Sequence, residues 1–375
     1  MKVALVHNLR FGGAHRRIAE QVRALGMPVQ EVVLEGAEPV TPGAVVVPLR
    51  YRDTDGPRWA RPVTRHLDLA ALLTGYRHMH GVLRGLRPDV VWLNPCRYLQ
   101  TPWLPRDLAG ISAYYCDEPR RSDYDPDAKA STRRLTRLPY LPLRSATRWT
   151  DRSTARSAAA VATNSAFTVD RIRAAYGREA VVIPCGVAER FSPPAQPSPR
   201  DHLLSVGSLI PSKGHDLAVR AASASGLGLP VTVVAPRGDP DEEARLGSIA
   251  CDEGVRLVIR TGVSDAELVS LYRSAAITLY LARGEPFGLA SIESQACGTP
   301  VIVSDDGGLP ETLVDGRTGW TVPRRVDVVA DRIAQLGPRG AADAFGGSAA
   351  EVAARWTWSA SSERLGELLE QVGGA

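Results

Sequence analysis

The chain has 375 residues, 44% of them hydrophobic and 23% charged, with a formal net charge of +4. That is ordinary globular usage at a length suited to two domains, and it excludes a disordered, collagen-like or coiled-coil chain. No apolar run reaches the ~18 residues of a membrane-spanning helix, and five cysteines at 96, 116, 185, 251 and 297, without metal-like spacing, point to a reduced, cytoplasmic protein.

Charge divides unevenly along the chain. Residues 1–199 hold 29 basic and 18 acidic side chains, whereas residues 200–375 hold 16 and 23. Two halves of opposite sign suggest two domains with different partners. Met1-Lys2-Val3-Ala4-Leu5-Val6 is too short an apolar stretch for a signal peptide and reads as a buried first strand, Val3–Val6. Gly12-Gly13 follows in a loop, and Ala14, Ile18, Val22 and Leu25 then fall at helical spacing. Further strands are expected at Val45–Pro48, Val90–Leu93, Ala113–Cys116, Ala159–Thr163 and Val181–Ile183. Short, fully apolar strands separated by helices imply a parallel sheet covered on both faces.

Residues 192–199 contain four prolines in eight residues and read as a linker. The alternation restarts with strands expected at Leu203–Val206, Val231–Val234, Leu257–Ile259, Ile277–Leu281, Val301–Val303 and Trp320–Val322. The expected architecture is therefore α/β, with two Rossmann-like, doubly wound domains facing a central cleft. Residues 1–191 form the first, 192–200 the linker and 201–355 the second. Residues 356–375, with a helix over Ser361–Gln371, return to the first domain. In open parallel sheets ligands bind beyond the carboxyl ends of strands, so function is sought in the loops that follow them.

The most informative loop is Arg283-Gly284-Glu285-Pro286-Phe287-Gly288-Leu289, which leads into a helix over Ala290–Ala296. Gly288 lets backbone approach a ligand, and Leu289 and its successors offer free N–H groups at the positive end of the helix dipole, a ready phosphate site. Glu285 and Glu293 can face one ligand and accept hydrogen bonds from sugar or ribose hydroxyls. Lys213 follows another strand and a Gly-Ser turn. It is one of only three lysines, at 2, 129 and 213. A cation there can neutralise charge developing on a diphosphate leaving group.

These segments resemble the E-x7-E signature of retaining glycosyltransferases of family 4, which have the GT-B fold. Gly12-Gly13, Tyr115-Cys116-Asp117-Glu118-Pro119, Asn164-Ser165, Pro184-Cys185-Gly186-Val187, Val206–Gly214, Gly307-Gly308-Leu309-Pro310-Glu311, Asp315–Gly319 and Trp356-Thr357-Trp358 resemble further family segments in the family's order. The resemblance implies sugar transfer from a nucleotide-diphosphate sugar to an acceptor hydroxyl with retention, without a metal or other cofactor. It implies catalytic roles for Asp117, Glu285 and Lys213. Donor contacts would come from Gly13, Ser208, Lys213, Arg260, Gly262, Glu285, Phe287, Gly288, Leu289 and Glu293, and acceptor contacts from His15 and Asp117. Ser208 stands where the family pattern has Arg, with Arg237 or Arg260 as candidate substitutes. Asp117 stands where the pattern has His; it either accepts a sugar hydroxyl or caps the loop before Pro119. His15 stands where an acidic or amide residue is commoner.

Arg144, Arg148, Arg152 and Arg156 are spaced by four and form a stripe on a helix, preceded by Arg133, Arg134, Arg137 and Tyr140. A solvated face is one reading; an anionic acceptor, small or lipid-linked, or a peripheral contact with the inner face of a membrane is the other. No nucleic-acid motif is present. A GT-B epimerase of sugar nucleotides and a sugar-nucleotide-binding protein with reduced catalysis are the alternatives. A dinucleotide dehydrogenase is disfavoured, because Gly-x-Gly-x-x-Gly follows neither Val3–Val6 nor Leu203–Val206.

Overall fold

The computed structural model describes residues 1–50, 61–124, 141–196, 199–336 and 349–374. The chain forms two compact units. One comprises Met1–Ile183 with Ser361–Ala375, the other Pro184–Ala360.

The first unit holds β1 (Val3–Asn8), β2 (Val29–Leu34), β3 (Val45–Val47), β4 (Val90–Cys96), β5 (Ser112–Tyr115), β6 (Ala160–Thr163) and β7 (Val181–Val182), in the spatial order β3-β2-β1-β4-β5-β6-β7. Every pairing is parallel. Its main helices are α1 (Gly13–Ala24), α2 (Arg61–Leu86), α3 (Leu141–Ser157) and α4 (Ala166–Tyr176). β1 shows why its first four residues, Val3–Val6, are apolar throughout. Ala4 and Val6 pack into one buried cluster with Leu72, Tyr76, Met79 and Leu83 of α2, while Val3 and Leu5 pack on the opposite face with Ile18 of α1. Both faces of the strand are covered, so its polar residues, His7 and Asn8, are tolerated only with hydrogen-bond partners, Glu31 and Tyr76.

β2 was not among the expected strands. Glu31 interrupts its apolar run, yet the Glu31 side chain is fully buried. It accepts hydrogen bonds from His7 Nε2 at 2.7 Å, from the Val40 amide at 3.0 Å, and from the Thr41 amide and hydroxyl at 2.7 Å each. His7 Nδ1 accepts from the Leu9 amide, which fixes Nε2–H as the donor. Burial raises the Glu31 carboxyl, but the hydrogen bonds from His7, Thr41 and Val40 outweigh it and hold the pKa below the ordinary 4.5. A depressed folded-state pKa contributes stability that is complete above the unfolded value and lost as pH falls through the folded one. Glu31→Gln is therefore expected to unfold at lower urea concentration than wild type near neutrality, with the gap closing as pH falls below 4.5. A gap that stays constant across that range would show that the ionised form contributes nothing.

The second unit holds β8 (His202–Val206), β9 (Val231–Ala235), β10 (Leu257–Thr261), β11 (Ala275–Tyr280), β12 (Val301–Ser304) and β13 (Gly319–Val322), ordered β10-β9-β8-β11-β12-β13 and again wholly parallel. Its main helices are α5 (His215–Ala224), α6 (Pro240–Asp252), α7 (Asp265–Ser274), α8 (Leu289–Ala296) and α9 (Val326–Leu336). Adjacent residues Leu203 and Leu204 of β8 enter different buried clusters, the signature of a sheet covered on both faces.

The chain passes between units at 183/184 and 360/361, ahead of the proline-rich stretch rather than within it. Residues 192–196 and 200 are tied into the second unit. Arg273 donates to the carbonyl and hydroxyl of Ser192, and Arg200 donates to Thr299 Oγ1 and the Gly298 carbonyl. The last helix, α10 (Trp358–Gly373), spans the second crossing. Its Leu365, Leu368 and Leu369 join Val3, Leu5 and Ile18 in the first unit's core. Fully burying such side chains contributes ~2 kcal/mol each, which ties the helix to that unit.

Candidate active site

Strand order brings two of the predicted residues of the second unit, Lys213 and Glu285, together. The sheet reverses direction of growth between β8 and β11, the switch point at which ligands bind in open α/β sheets. The loop after β8 carries Lys213 and the loop after β11 carries Glu285. Although 72 residues apart, they meet as an ion pair with Lys213 Nζ 2.6 Å from Glu285 Oε2, both mostly buried. Lys213 Nζ also lies 5.7 Å from the centre of the Tyr280 ring. The two loops are stitched by backbone as well, because the Arg283 amide donates to the Ser212 carbonyl at 2.7 Å.

Glu285 leads into α8. Gly288 caps this helix with φ 112°, a conformation that L side chains avoid, and a Cβ there would lie 2.5 Å from Leu309 Cδ2. Leu289 is half-buried at the first helical position, so its amide and that of Ala290 start the helix at the loop carrying Glu285, whereas the Ser291 amide already donates to the Gly288 carbonyl at 3.0 Å. Glu293 is buried within α8 and accepts from the Tyr272 hydroxyl at 3.1 Å. The Phe287 ring is placed differently from a ligand contact. It is buried against Trp356, ring centres 5.4 Å apart, so only its backbone is left to serve the loop.

The remaining donor-side residues spread along the same edge of the sheet. Ser208 is exposed, and its carbonyl accepts from buried His215 at 3.2 Å. Arg260, on β10, is exposed and paired with Glu267 at 2.8 Å. Gly262 is exposed just beyond β10, its amide held by the Ala235 carbonyl at 3.0 Å.

In the first unit, Gly12 caps α1 and Gly13 is its first residue. His15 Nε2 donates to the Glu38 carbonyl at 2.9 Å, which leaves the ring part of the wall between that loop and α1. Asp117, directly beyond β5, is not a loop cap. Both its carboxylate oxygens accept from Arg17 of α1, at 2.8 Å each. Arg17 also donates to Gln21 Oε1 at 2.7 Å and Asn94 Oδ1 at 2.9 Å, and its guanidinium lies 3.6 Å from the centre of the Tyr115 ring. Arg17, Gln21 and Asn94 were not among the expected residues. One of three arginines in an amphipathic helix, with Arg16 and Arg23, reads as solvated; the only signal was an acid at the position where the family pattern has His.

α3 resolves the arginine stripe into two parts. Arg144 is paired with Asp123 at 2.8 Å. Arg148, Trp149, Arg152 and Arg156, with Ser145 and Ser153, line an open groove of about 410 Å3, and Trp149 is 64% exposed. The helix's one acid, Asp151, faces inward, where it accepts from Thr101 and Tyr176. Arg133, Arg134, Arg137 and Tyr140 lie outside the described residues. Among the described residues no helix is long and apolar enough to cross a membrane, and no group of three His, Cys, Asp or Glu side chains is arranged to hold a metal ion.

Residues 188–337 match the family model for glycosyl transferases group 1, and residues 12–186 match that for a glycosyl transferase 4-like domain. Over 165 residues the chain is 39% identical to D-inositol 3-phosphate glycosyltransferase of Mycobacteroides abscessus, covering 43% of this chain and 37% of that protein. Over 234 residues it is 30% identical to GDP-mannose-dependent alpha-(1-6)-phosphatidylinositol monomannoside mannosyltransferase of Mycolicibacterium smegmatis, covering 55% of this chain and 60% of that protein. The matches thus span about a third to three-fifths of these relatives' length. Sucrose-phosphate synthase of Thermosynechococcus elongatus superposes over 100% of both chains with a TM-score of 0.76 at 20% identity, which gives the fold as GT-B.

Proposed function

We propose that this GT-B chain, built of two glycosyltransferase-type domains, transfers a sugar from a nucleotide-diphosphate donor to an acceptor hydroxyl with retention and without a metal. The observation that carries the reading is the meeting of Lys213 and Glu285 at the switch point, beside the N-terminus of α8. A diphosphate seated there finds a cation and the Leu289 and Ala290 N–H groups of the helix start on the side where negative charge grows as the glycosidic C–O bond breaks. Glu285, freed from part of its hold on Lys213 by the arriving anion, accepts from a donor-sugar hydroxyl. Glu293 serves the ribose. The acceptor oxygen forms the new bond on the face the diphosphate leaves, and its proton passes to a phosphate oxygen of the leaving group. No protein nucleophile is required.

The first unit takes the acceptor in this reading. The two relatives above are named for an inositol phosphate and a phosphatidylinositol mannoside as the molecules they act on. A phosphate-bearing acceptor, free or lipid-linked, suits the excess of basic side chains in residues 1–199 and the Arg148–Trp149–Arg152 face of α3. Exposed charge is screened beyond ~8 Å at physiological ionic strength. Acceptor KM is therefore expected to rise steeply with salt while donor KM changes little, and Arg148→Gln with Arg152→Gln to flatten that dependence. Salt-insensitive acceptor kinetics in the wild type would remove the anionic acceptor.

The test of the whole reading is incubation of purified protein with UDP- and GDP-sugars and inositol phosphate, with and without EDTA, the anomeric configuration of the product being read by NMR. Transfer that survives EDTA and retains configuration is expected. Release of free nucleotide with an epimerised sugar and no acceptor product would favour the epimerase. Nucleotide-sugar binding without turnover would favour a binding protein.

A further inference from the structure

We propose that Arg17 is a positioning residue that holds Asp117 as a fixed hydrogen-bond acceptor for a substrate hydroxyl. This rests on the proposed transfer reaction, because it assigns how the first unit presents its polar group.

The geometry is more demanding than a salt bridge needs. Arg17 is fully buried, and its Nε and Nη2 each donate to a different oxygen of Asp117 at 2.8 Å, the side-on bidentate arrangement that fixes a carboxylate plane. Two further N–H bonds hold the guanidinium itself, to Gln21 one turn along α1 and to Asn94 in β4. The Tyr115 ring packs on its face at 3.6 Å. The donor is thus gripped by α1, β4 and β5, and the carboxylate inherits that rigidity. The Asp117 carbonyl is tied separately, accepting from Asn164 Nδ2 at 3.3 Å. Asp117 differs from Arg17 in one respect: its side chain remains 16% exposed. Each carboxylate oxygen has two lone pairs. One on each oxygen faces Arg17, and the others are available on the exposed side.

The chemistry follows from the inventory of protons. A carboxylate presents acceptors only. An imidazole at this place could donate or accept; this carboxylate can only accept. It therefore selects a ligand group that donates, a sugar or cyclitol hydroxyl, and disfavours a phosphate or carboxylate at the same spot. An anionic group on the acceptor must then be held elsewhere in the unit, and this spot reads the hydroxyl pattern of the ring.

Arg17→Lys, Arg17→Gln and Asp117→Asn are compared with wild type and with the double variant Arg17→Gln/Asp117→Asn, measuring kcat and KM for acceptor and donor separately and thermal unfolding of the same samples. A displacement of about an ångström at a positioning group costs on the order of 10²-fold. Acceptor kcat/KM is expected to fall by about that factor in both Arg17 variants, with lysine restoring unfolding temperature more than activity, because it keeps the charge but not the two-pronged geometry. Donor KM should stay within about 2-fold, and the double variant should be no worse than the poorer single one, as for groups acting as a unit. Variants that unfold earlier yet keep wild-type acceptor kcat/KM, or losses that multiply in the double variant, would overturn the positioning role. Absence of transfer in the wild type would remove the parent reading and this one with it.

Discussion

Replacing Lys213 with alanine will lower sugar transfer by ~10²-fold or more, the order expected for removing one preorganised contact to charge that develops in the transition state. Two effects act together. The diphosphate loses its cation, and Glu285, mostly buried and 2.6 Å from the missing ammonium, loses its partner. A carboxylate left alone in a shielded site repels the incoming diphosphate. Lys213→Ala should therefore raise donor KM as well as lower kcat, whereas Lys213→Ala with Glu285→Gln should recover donor binding without recovering turnover. Steady-state kinetics on the three proteins decide the matter. If Lys213→Ala turns over at the wild-type rate, the lysine has no part in leaving-group stabilisation.

Gly307→Ala is expected to be nearly as damaging, although the residue carries no side chain and contacts no substrate in the proposed reaction. Its φ is 76°, and a Cβ there would lie 2.3 Å from the Glu285 carbonyl oxygen and 2.7 Å from the Glu285 amide nitrogen. The neighbouring Gly308 amide already donates to that same carbonyl at 2.7 Å. A methyl group must push the Glu285 backbone aside, since neither partner is a flexible side-chain end. Gly316 supplies the control. Its φ is 74° but a Cβ would meet nothing within 4 Å. Gly316→Ala should cost only the backbone strain, about 1 kcal/mol, and leave transfer intact. Gly307→Ala should lose about 2 kcal/mol or more of stability and reduce transfer on the order of 10²-fold through the displaced Glu285. Equal behaviour of the two variants would show that the tight approach of Gly307 to Glu285 has no functional consequence.

The alternation of apolar strands and helices was legible because both faces of each sheet are buried, so the central strands carry almost no polar interruption. β2 escaped because Glu31 is such an interruption, and nothing local reveals that His7, in the neighbouring strand, makes its burial tolerable. Lys213, Glu285 and Glu293 could be singled out individually, since each sits in a distinctive turn or helix start. That Lys213 and Glu285 touch depends on strand order, which places β8 beside β11 and is not written near either residue. Phe287 was read as part of the site because its neighbours in sequence are; its ring points instead into the core against Trp356. The unit boundary was misplaced for a related reason. Prolines at 193 and 194 mark irregular chain, but irregular chain can be strapped to a surface, as Arg273 straps Ser192. Arg17 was invisible because its meaning lies in a partner one hundred positions away.

The way α10 closes the first unit bears on how the protein is made. Leu365, Leu368 and Leu369 complete a core whose other members end at Ile183, with the whole of residues 184–360 translated in between. Vectorial synthesis ordinarily lets an amino-terminal domain fold while the rest is still on the ribosome. Here that domain emerges with the Val3–Leu5 face of β1 covered by α1 but not yet by α10, and must wait for the rest. The second unit, continuous in sequence, can reach its native state first. The nascent first unit therefore spends that interval with Val3, Leu5 and Trp92 short of their final neighbours. That interval is when a holdase chaperone would find its substrate, and nonsense products ending before Ser361 would keep the greasy surface permanently and be cleared.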